Sequence, residues 1–263
     1  MNCIVVKLGG HALDSLAPSS PVLVDLAADI QQLRDRGDNV VLVHGGGPQI
    51  AQLLERVGLD SSFKDGLRIT NDETMRYVVM ALSEVNLRIV AALNRAGLEC
   101  AGVNGADAAL LRSTSVGEPY DRVGARPEVN RAILEVLWST GLTPVVNPVG
   151  LDEFGEPLNC NADAVAGALA HELGAEVLVL LSDIDQVRGD PDDPSTSMLS
   201  VSGAEIVEMQ HSGAARDGMN PKLTAALDAL HGGAQRILLA NGTRRHALRD
   251  AVARTIPTTE VVR

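Results

Sequence analysis

Along the chain, short runs of β-branched and aliphatic residues alternate with longer stretches whose apolar positions recur every three or four residues. The runs at 3–8, 40–44, 100–103, 143–149, 176–181 and 236–240 predict strands. Most are apolar throughout rather than alternating, as expected of strands covered on both faces. Residues 21–36, 49–57, 72–96, 131–140, 162–173, 204–212 and 221–231 predict amphipathic helices. Thr70 with Glu73 reads as a capping box for the long third helix and Asn161 as the N-cap of the fifth. Pro21 and Pro221 stand near helix starts, where a missing N–H costs little. Alternation of this kind predicts an α/β fold with a central, mainly parallel sheet and crossover helices. The stretches 61–68, 108–129 and 151–158 lack a helical period and carry Gly, Pro, Asp and Asn at turn positions, which predicts hairpins above the sheet, while 188–197 reads as a loop. No internal repeat and no flexible linker interrupts the pattern, so one domain with two lobes is expected.

Composition narrows the partners. At 263 residues the chain is near the limit of a single core, and with 45% hydrophobic but only 2% aromatic residues that core must be aliphatic. The formal charge of −12 repels phosphodiester backbones, and five aromatic residues offer few stacking platforms, which excludes nucleic acid as an expected partner. A small anionic substrate must therefore be met by a few local cations against an unfavourable mean field. Cys3, Cys100 and Cys160 show no Cys-x-x-Cys pairing, so they read as small buried hydrophobes in a reducing compartment rather than a disulfide framework or zinc site. The first apolar run is short and is followed at once by Lys7, unlike a signal peptide, and no run approaches the roughly 18 apolar residues of a spanning helix. A cytoplasmic protein without a membrane partner is expected.

Four segments carry candidate chemistry. Lys7-Leu8-Gly9-Gly10 follows the first strand, where glycines let backbone N–H groups approach an anion and a lysine adds a point charge. His44-Gly45-Gly46-Gly47-Pro48 ends the second strand and opens a helix, a geometry that cradles anions at the positive end of the dipole. The same letters open the oxyanion hole of some esterases, but no Gly-x-Ser-x-Gly accompanies them. Asn159-Cys160-Asn161-Ala162-Asp163 brings amides and a carboxylate to a helix start, where capping and ligand contacts share a geometry. Asp217-Gly218-Met219-Asn220-Pro221-Lys222 projects a lysine from a helix N-terminus, a place electrostatically unfavourable unless an anion sits there. Taken singly, each segment fits a structural role as well. A Walker A loop and Gly-x-Gly-x-x-Gly are absent, and the six histidines show no metal-ligand spacing.

Together these segments, with Gly66-Leu67-Arg68-Ile69-Thr70 and Leu181-Ser182-Asp183, resemble in sequence order the amino-acid kinase family, and among its branches the N-acetylglutamate kinases. The resemblance implies a three-layer αβα sandwich in which residues 1–174 form an N-terminal lobe for the amino-acid substrate and dimerisation, and residues 175–263 a C-terminal lobe for ATP. It implies transfer of the γ-phosphoryl group of ATP to the side-chain carboxylate of N-acetyl-L-glutamate, with Mg2+ held by nucleotide oxygens and water. By the same resemblance Lys7 and Lys222 contact the transferred phosphoryl group and Asp163 orients them. Gly45, Gly46, Arg68 and Asn159 hold the substrate. Gly9, Gly10, Ser182, Asp183 and Gly218 border the nucleotide, and Asn161 is shared between cap and site. Two departures stand out: Gln186 occupies the place of a family glycine, and Ala106 that of a family lysine. The first strand starts at Cys3, with no room ahead of it for the extra helix of arginine-inhibited hexamers, so the resemblance is to the arginine-insensitive homodimers, with the helix after Thr70 as the expected contact. The rival readings are a kinase for glutamate or aminoadipate presented by an acidic carrier protein, for which a −12 chain is poorly suited, and a catalytically silent amino-acid or nucleotide sensor.

Overall fold

In the computed structural model, which describes residues 2–9, 13, 16–215 and 219–263, the apolar runs pair into one eight-stranded sheet. The elements are β1 (Cys3–Leu8), α1 (Pro21–Asp35), β2 (Asn39–His44), α2 (Gly47–Arg56), β3 (Phe63–Lys64), β4 (Leu67–Arg68), α3 (Asp72–Arg95), β5 (Cys100–Asn104), β6 (Leu111–Arg112), β7 (Ser115–Gly117), β8 (Asp121–Gly124), β9 (Glu128–Val129), α4 (Ala132–Ser139), β10 (Thr143–Asn147), β11 (Val149–Leu151), β12 (Pro157–Cys160), α5 (Ala162–Glu172), β13 (Val177–Ser182), β14 (Ser200–Ser202), α6 (Gly203–Ser212), α7 (Met219–His231), β15 (Arg236–Asn241), α8 (Ala247–Val252) and β16 (Thr258–Val262). The main sheet runs β14-β16-β15-β13-β1-β2-β10-β5, parallel except where β16 meets β15 antiparallel. A six-stranded sheet, β7-β8-β12-β11-β6-β9, and the hairpin β3-β4 complete the strands.

Alternation along β1 sets the layers. Ile4, Val6 and Leu8 pack into a cluster with α1, α3 and α8, whereas Val5 packs on the other face with α5, α6 and α7. The result is the αβα sandwich expected. The same period of two turns Lys7 toward the face of Val5, beneath α5. The chain continues from β1 to β2 on one side and places β13 on the other. The carboxyl ends of β1, β2 and β13 therefore border a topological switch point, where open α/β sheets bind ligands.

Three sequence expectations are corrected. Residues 143–149 are not one strand: Pro148 interrupts them, and β11 leaves the main sheet to pair with β12 in the second one. The third helix is capped by Asn71, whose side chain accepts from the Thr74 amide, rather than by Thr70, whose hydroxyl instead donates to the Arg68 carbonyl. By length and composition α3 is long and apolar enough to cross a membrane, but Val78, Leu82, Val85, Ile89 and Leu93 on one of its faces are buried in this protein. Residues 200–202, 247–252 and 258–262 carry β14, α8 and β16, which the periodicity does not predict because these elements are short or polar. Asn161 caps α5 as expected, its Oδ1 accepting from the amides of Asp163 at 2.8 Å and Ala164 at 3.4 Å.

The approach of α5 to α7 depends on one absent side chain. A Cβ on Gly167 would lie 2.9 Å from the Ala225 carbonyl oxygen and 3.1 Å from its Cα, so the helix backbones meet where no larger residue fits. Gly167→Val should therefore destabilise the fold by about 1–3 kcal/mol through overpacking. Urea unfolding monitored by circular dichroism measures that loss, and the same variant should lose turnover, because α5 carries Asp163 and α7 carries Lys222.

Candidate active site

A cleft of about 260 Å3 opens at the carboxyl ends of β1 and β2, with Lys7, Gly9, Gly45, Gly46, Arg68, Asn159, Asn161 and Asp163 on its wall. Sequence reasoning names all eight, and the fold brings them together. At its inner end Asp163, near the N-terminus of α5, lies with Oδ1 2.8 Å from Lys7 Nζ and Oδ2 3.7 Å from Lys222 Nζ. All three side chains are largely buried. Burial opposes the charge on Asp163, yet the two ammonium groups outweigh it and hold the carboxyl below the usual carboxylate range. Burial likewise lowers Lys222 below an ordinary lysine, with Asp163 pulling the other way. Two ammonium groups around one carboxylate gather positive charge in a shielded place, with the Asp183 carboxylate also acting on Lys222.

The glycine-rich loop between β2 and α2 is held by its carbonyls. His44 is fully buried; its Nδ1 donates to the Gly45 carbonyl at 2.8 Å, and its Nε2 accepts from Asn86 Nδ2 at 3.1 Å. Burial pushes its pKa down to about 4, so the imidazole is neutral and the tautomer is set by these two partners. The Gly47 carbonyl accepts from Arg68 Nη2 at 2.9 Å. Two of the backbone donors expected from sequence are already engaged: the Gly9 amide donates to Leu181 O at 3.2 Å and the Gly45 amide to Leu8 O at 2.9 Å. These bonds tie each loop to a neighbouring strand. The amides of Gly46 and Gly47, at the N-cap and first position of α2, have no intrahelical partner and supply the helix's anion-binding end. Space explains the glycines too. A Cβ at Gly46 would approach Leu82 Cδ2 to 2.7 Å, and one at Gly9 would displace the Lys7 ammonium.

Arg68 sits in the wall with its guanidinium beneath the Phe63 ring, 4.5 Å from the centroid, and donating to Ser61. Asn159 donates through Nδ2 to Thr70 Oγ1 at 3.1 Å, which fixes the orientation of its carboxamide. Cys160 is buried between Gly124 and Gly150, and burial raises its thiol to about 11, so it is a packing group and not a reactive one.

A second cavity, of about 470 Å3, is lined by residues that include Asp183, Asp185, Gln186 and Met219. Asp183 lines this cavity. Ser182 is buried beneath it and accepts the Ile184 amide at 3.5 Å, so it shapes the loop rather than the cavity surface. Gly10 and Gly218 lie outside the described residues. Sequence reasoning misses Asn86, whose partners are remote in the chain, and Phe63, an isolated aromatic outside any of the motifs. Among the described residues no group of three or more His, Cys, Asp or Glu side chains is arranged to hold a metal ion.

The chain matches the amino acid kinase family over residues 2–241, and it belongs to that family. Within it the chain is similar to the acetylglutamate kinase of Symbiobacterium thermophilum, with 37% identity over 255 residues covering 93% of this chain and 86% of that one. It is similar to the acetylglutamate kinase of Methanopyrus kandleri at 40% over 245 residues, covering 90% and 94%. Its fold matches that of N-acetylglutamate synthase from Neisseria gonorrhoeae, with a TM-score of 0.82 at 24% identity, covering the whole of this chain and 59% of that one.

Stability should report the neutral His44. Its folded pKa of about 4 lies below the ordinary 6.5, so as the pH falls through this window the unfolded chain binds the proton first and stability declines. The loss should reach roughly 3 kcal/mol across the window. Urea unfolding between pH 7 and pH 4.5 should show a shallower decline in His44→Gln than in the native protein, and equal slopes would refute the assignment.

Proposed function

We propose that this protein transfers the γ-phosphoryl group of ATP to the side-chain carboxylate of N-acetyl-L-glutamate, forming N-acetyl-L-glutamyl 5-phosphate in arginine biosynthesis. The observation that carries this reading is the Lys7–Asp163–Lys222 row at the inner end of a cleft walled by Arg68 and Asn159, in a chain similar throughout to acetylglutamate kinases. The acceptor carboxylate is already an anion, so no base is needed. A carboxylate oxygen forms the new bond to γ-phosphorus, the bond from γ-phosphorus to the β–γ bridging oxygen breaks, and ADP leaves with that electron pair. What the protein supplies is position and charge neutralisation. Lys7 and Lys222 meet the oxygens of the transferring group from the two sides. Asp163 keeps the two ammonium groups at their separation and lowers their mutual repulsion. Arg68 presents a fork to the substrate α-carboxylate, Asn159 adds a polar contact, and the amides of Gly46 and Gly47 stabilise charge beside the phosphoryl group. Asn161 holds the start of α5 and therefore Asp163.

Division of labour follows the two cavities. The acyl amino acid is assigned to the cleft of the N-terminal lobe, 1–174, whose lining residues run up to Asp163, and the nucleotide to the second cavity of the C-terminal lobe, 175–263, lined from Asp183 to Met219. Mg2+ fits this arrangement as an ion held by phosphate oxygens and water, and it supplies further neutralisation of the phosphates. The unpaired thiols suit the cytoplasm.

Hydroxylamine trapping of the acyl phosphate tests the reaction. The hydroxamate should appear with N-acetyl-L-glutamate and not with free glutamate, aspartate or aminoadipate; silence with all four would favour a carrier-bound substrate or a sensor. Lys7→Ala and Lys222→Ala should each lower kcat by about a hundredfold or more, and unchanged turnover in both would sink the mechanism.

We also propose a homodimer formed through α3. The face opposite its buried one exposes Met80 at 60% and Leu87 at 68%, beside Ser83 and Ala91, an apolar stripe on an otherwise acidic protein. Sedimentation should give twice the 27.6 kDa chain mass, and the double variant Met80→Asp, Leu87→Asp should sediment as a monomer.

A further inference from the structure

The loop after β13 is pinned at four points where the C-terminal edge of the sheet meets the second cavity. The Val187 amide donates to Thr259 Oγ1 at 2.9 Å, and Asp185 Oδ1 accepts from Asn241 Nδ2 at 3.1 Å and from Arg244 Nε at 2.7 Å. Gln186 Nε2 donates to the Thr258 carbonyl at 3.2 Å. Gln186 thus stands on a preorganised segment, in the cavity wall, with the polarity of its carboxamide dictated by a backbone carbonyl. Reversing the amide would set two oxygens against each other.

Asp183, Asp185 and Arg188 around this cavity are engaged within the protein, and Asp192 is an exposed carboxylate on its wall. Asp185 serves Asn241 and Arg244, Arg188 Nη1 donates to the Pro191 carbonyl at 3.0 Å, and the charge of Asp183 is felt at Lys222, which puts that end of the cavity next to the phosphoryl group. Ile184, Pro191, Ala214 and Met219 give apolar surface suited to a flat ring. Gln186 lies in the wall with one acceptor and a second amide hydrogen beyond the bond to Thr258. Adenine presents the complement, an amino group beside a ring nitrogen that accepts. Guanine offers an oxygen where adenine has its amino group, which would face the fixed Gln186 oxygen.

We propose that Gln186 reads the base of the bound nucleotide and makes this protein select adenine over guanine. The proposal rests on the second cavity being the nucleotide site. It assigns a specificity role to the residue that stands where the resembled family has a glycine, a position with no side chain to read anything.

Calorimetric titration of the intact protein with MgADP and MgGDP tests it without depending on turnover. The native protein should bind ADP about tenfold or more tighter than GDP. Gln186→Ala should narrow the ratio to within about threefold by weakening ADP, with the melting temperature measured alongside. Gln186→Met, similar in length but apolar, serves as the second variant should the first unfold, and should narrow the ratio equally. A native protein that binds both nucleotides alike, or variants that keep the native ratio, would overturn the base-reading role while leaving the kinase reading intact. Binding of neither nucleotide would overturn both.

Discussion

Asp163 held between two lysines is the interaction on which the rest of the structure depends. Alone, each of the three charges would be expensive to bury, and as a row they offset one another while setting two ammonium groups side by side at the inner end of the cleft. Lys7 comes from the central strand, Asp163 from the first turn of α5 and Lys222 from the first turns of α7. The sheet, the cap on α5 and the approach of two helices must all be right before the row exists. The small residues at the contact of α5 with α7 are therefore as much a part of the site as the charges, since a wider separation would part Asp163 from Lys222.

The glycine-rich loop shows the same dependence in neutral groups. Its carbonyls are occupied by His44 and Arg68, and one of its amides by the neighbouring strand, so the peptide units at the start of α2 are oriented by groups from β2, β4 and β1. His44 is kept neutral by burial and aligned by Asn86 on α3. A helix that supplies the apolar floor of the cleft thus also sets a backbone orientation at its mouth. Arg68, stacked on Phe63 and bound to the loop, contributes to the shape of the pocket as well as to its charge.

Much of this was legible in the chain. Apolar runs without alternation marked strands buried on both faces, and the parity of β1 put Lys7 opposite Ile4, Val6 and Leu8. The order of glycine, asparagine and lysine segments carried the resemblance to amino-acid kinases. Where the reading failed, a competing local interaction won. Pro148 ended a strand that the apolar run continued; Asn71 took the cap that Thr70 and Glu73 advertised, because Thr70 was needed by Asn159 and the Arg68 carbonyl. Polar β14 and β16 gave little periodic signal, and their pairing is decided by neighbours already in the sheet.

The sequence by itself determined the layer arrangement, the aliphatic core, the N-cap of α5 and the identity of most groups that face the cleft, because these follow from periodicity of two or 3.6 residues and from the chemistry of single side chains. Only the tertiary structure decided which backbone amides remain for a ligand, that His44 is neutral, and that Gln186 is clamped with one polarity. Each of these depends on a partner distant in the chain, and hydrogen-bond partners, unlike hydrophobic period, leave no spacing to read.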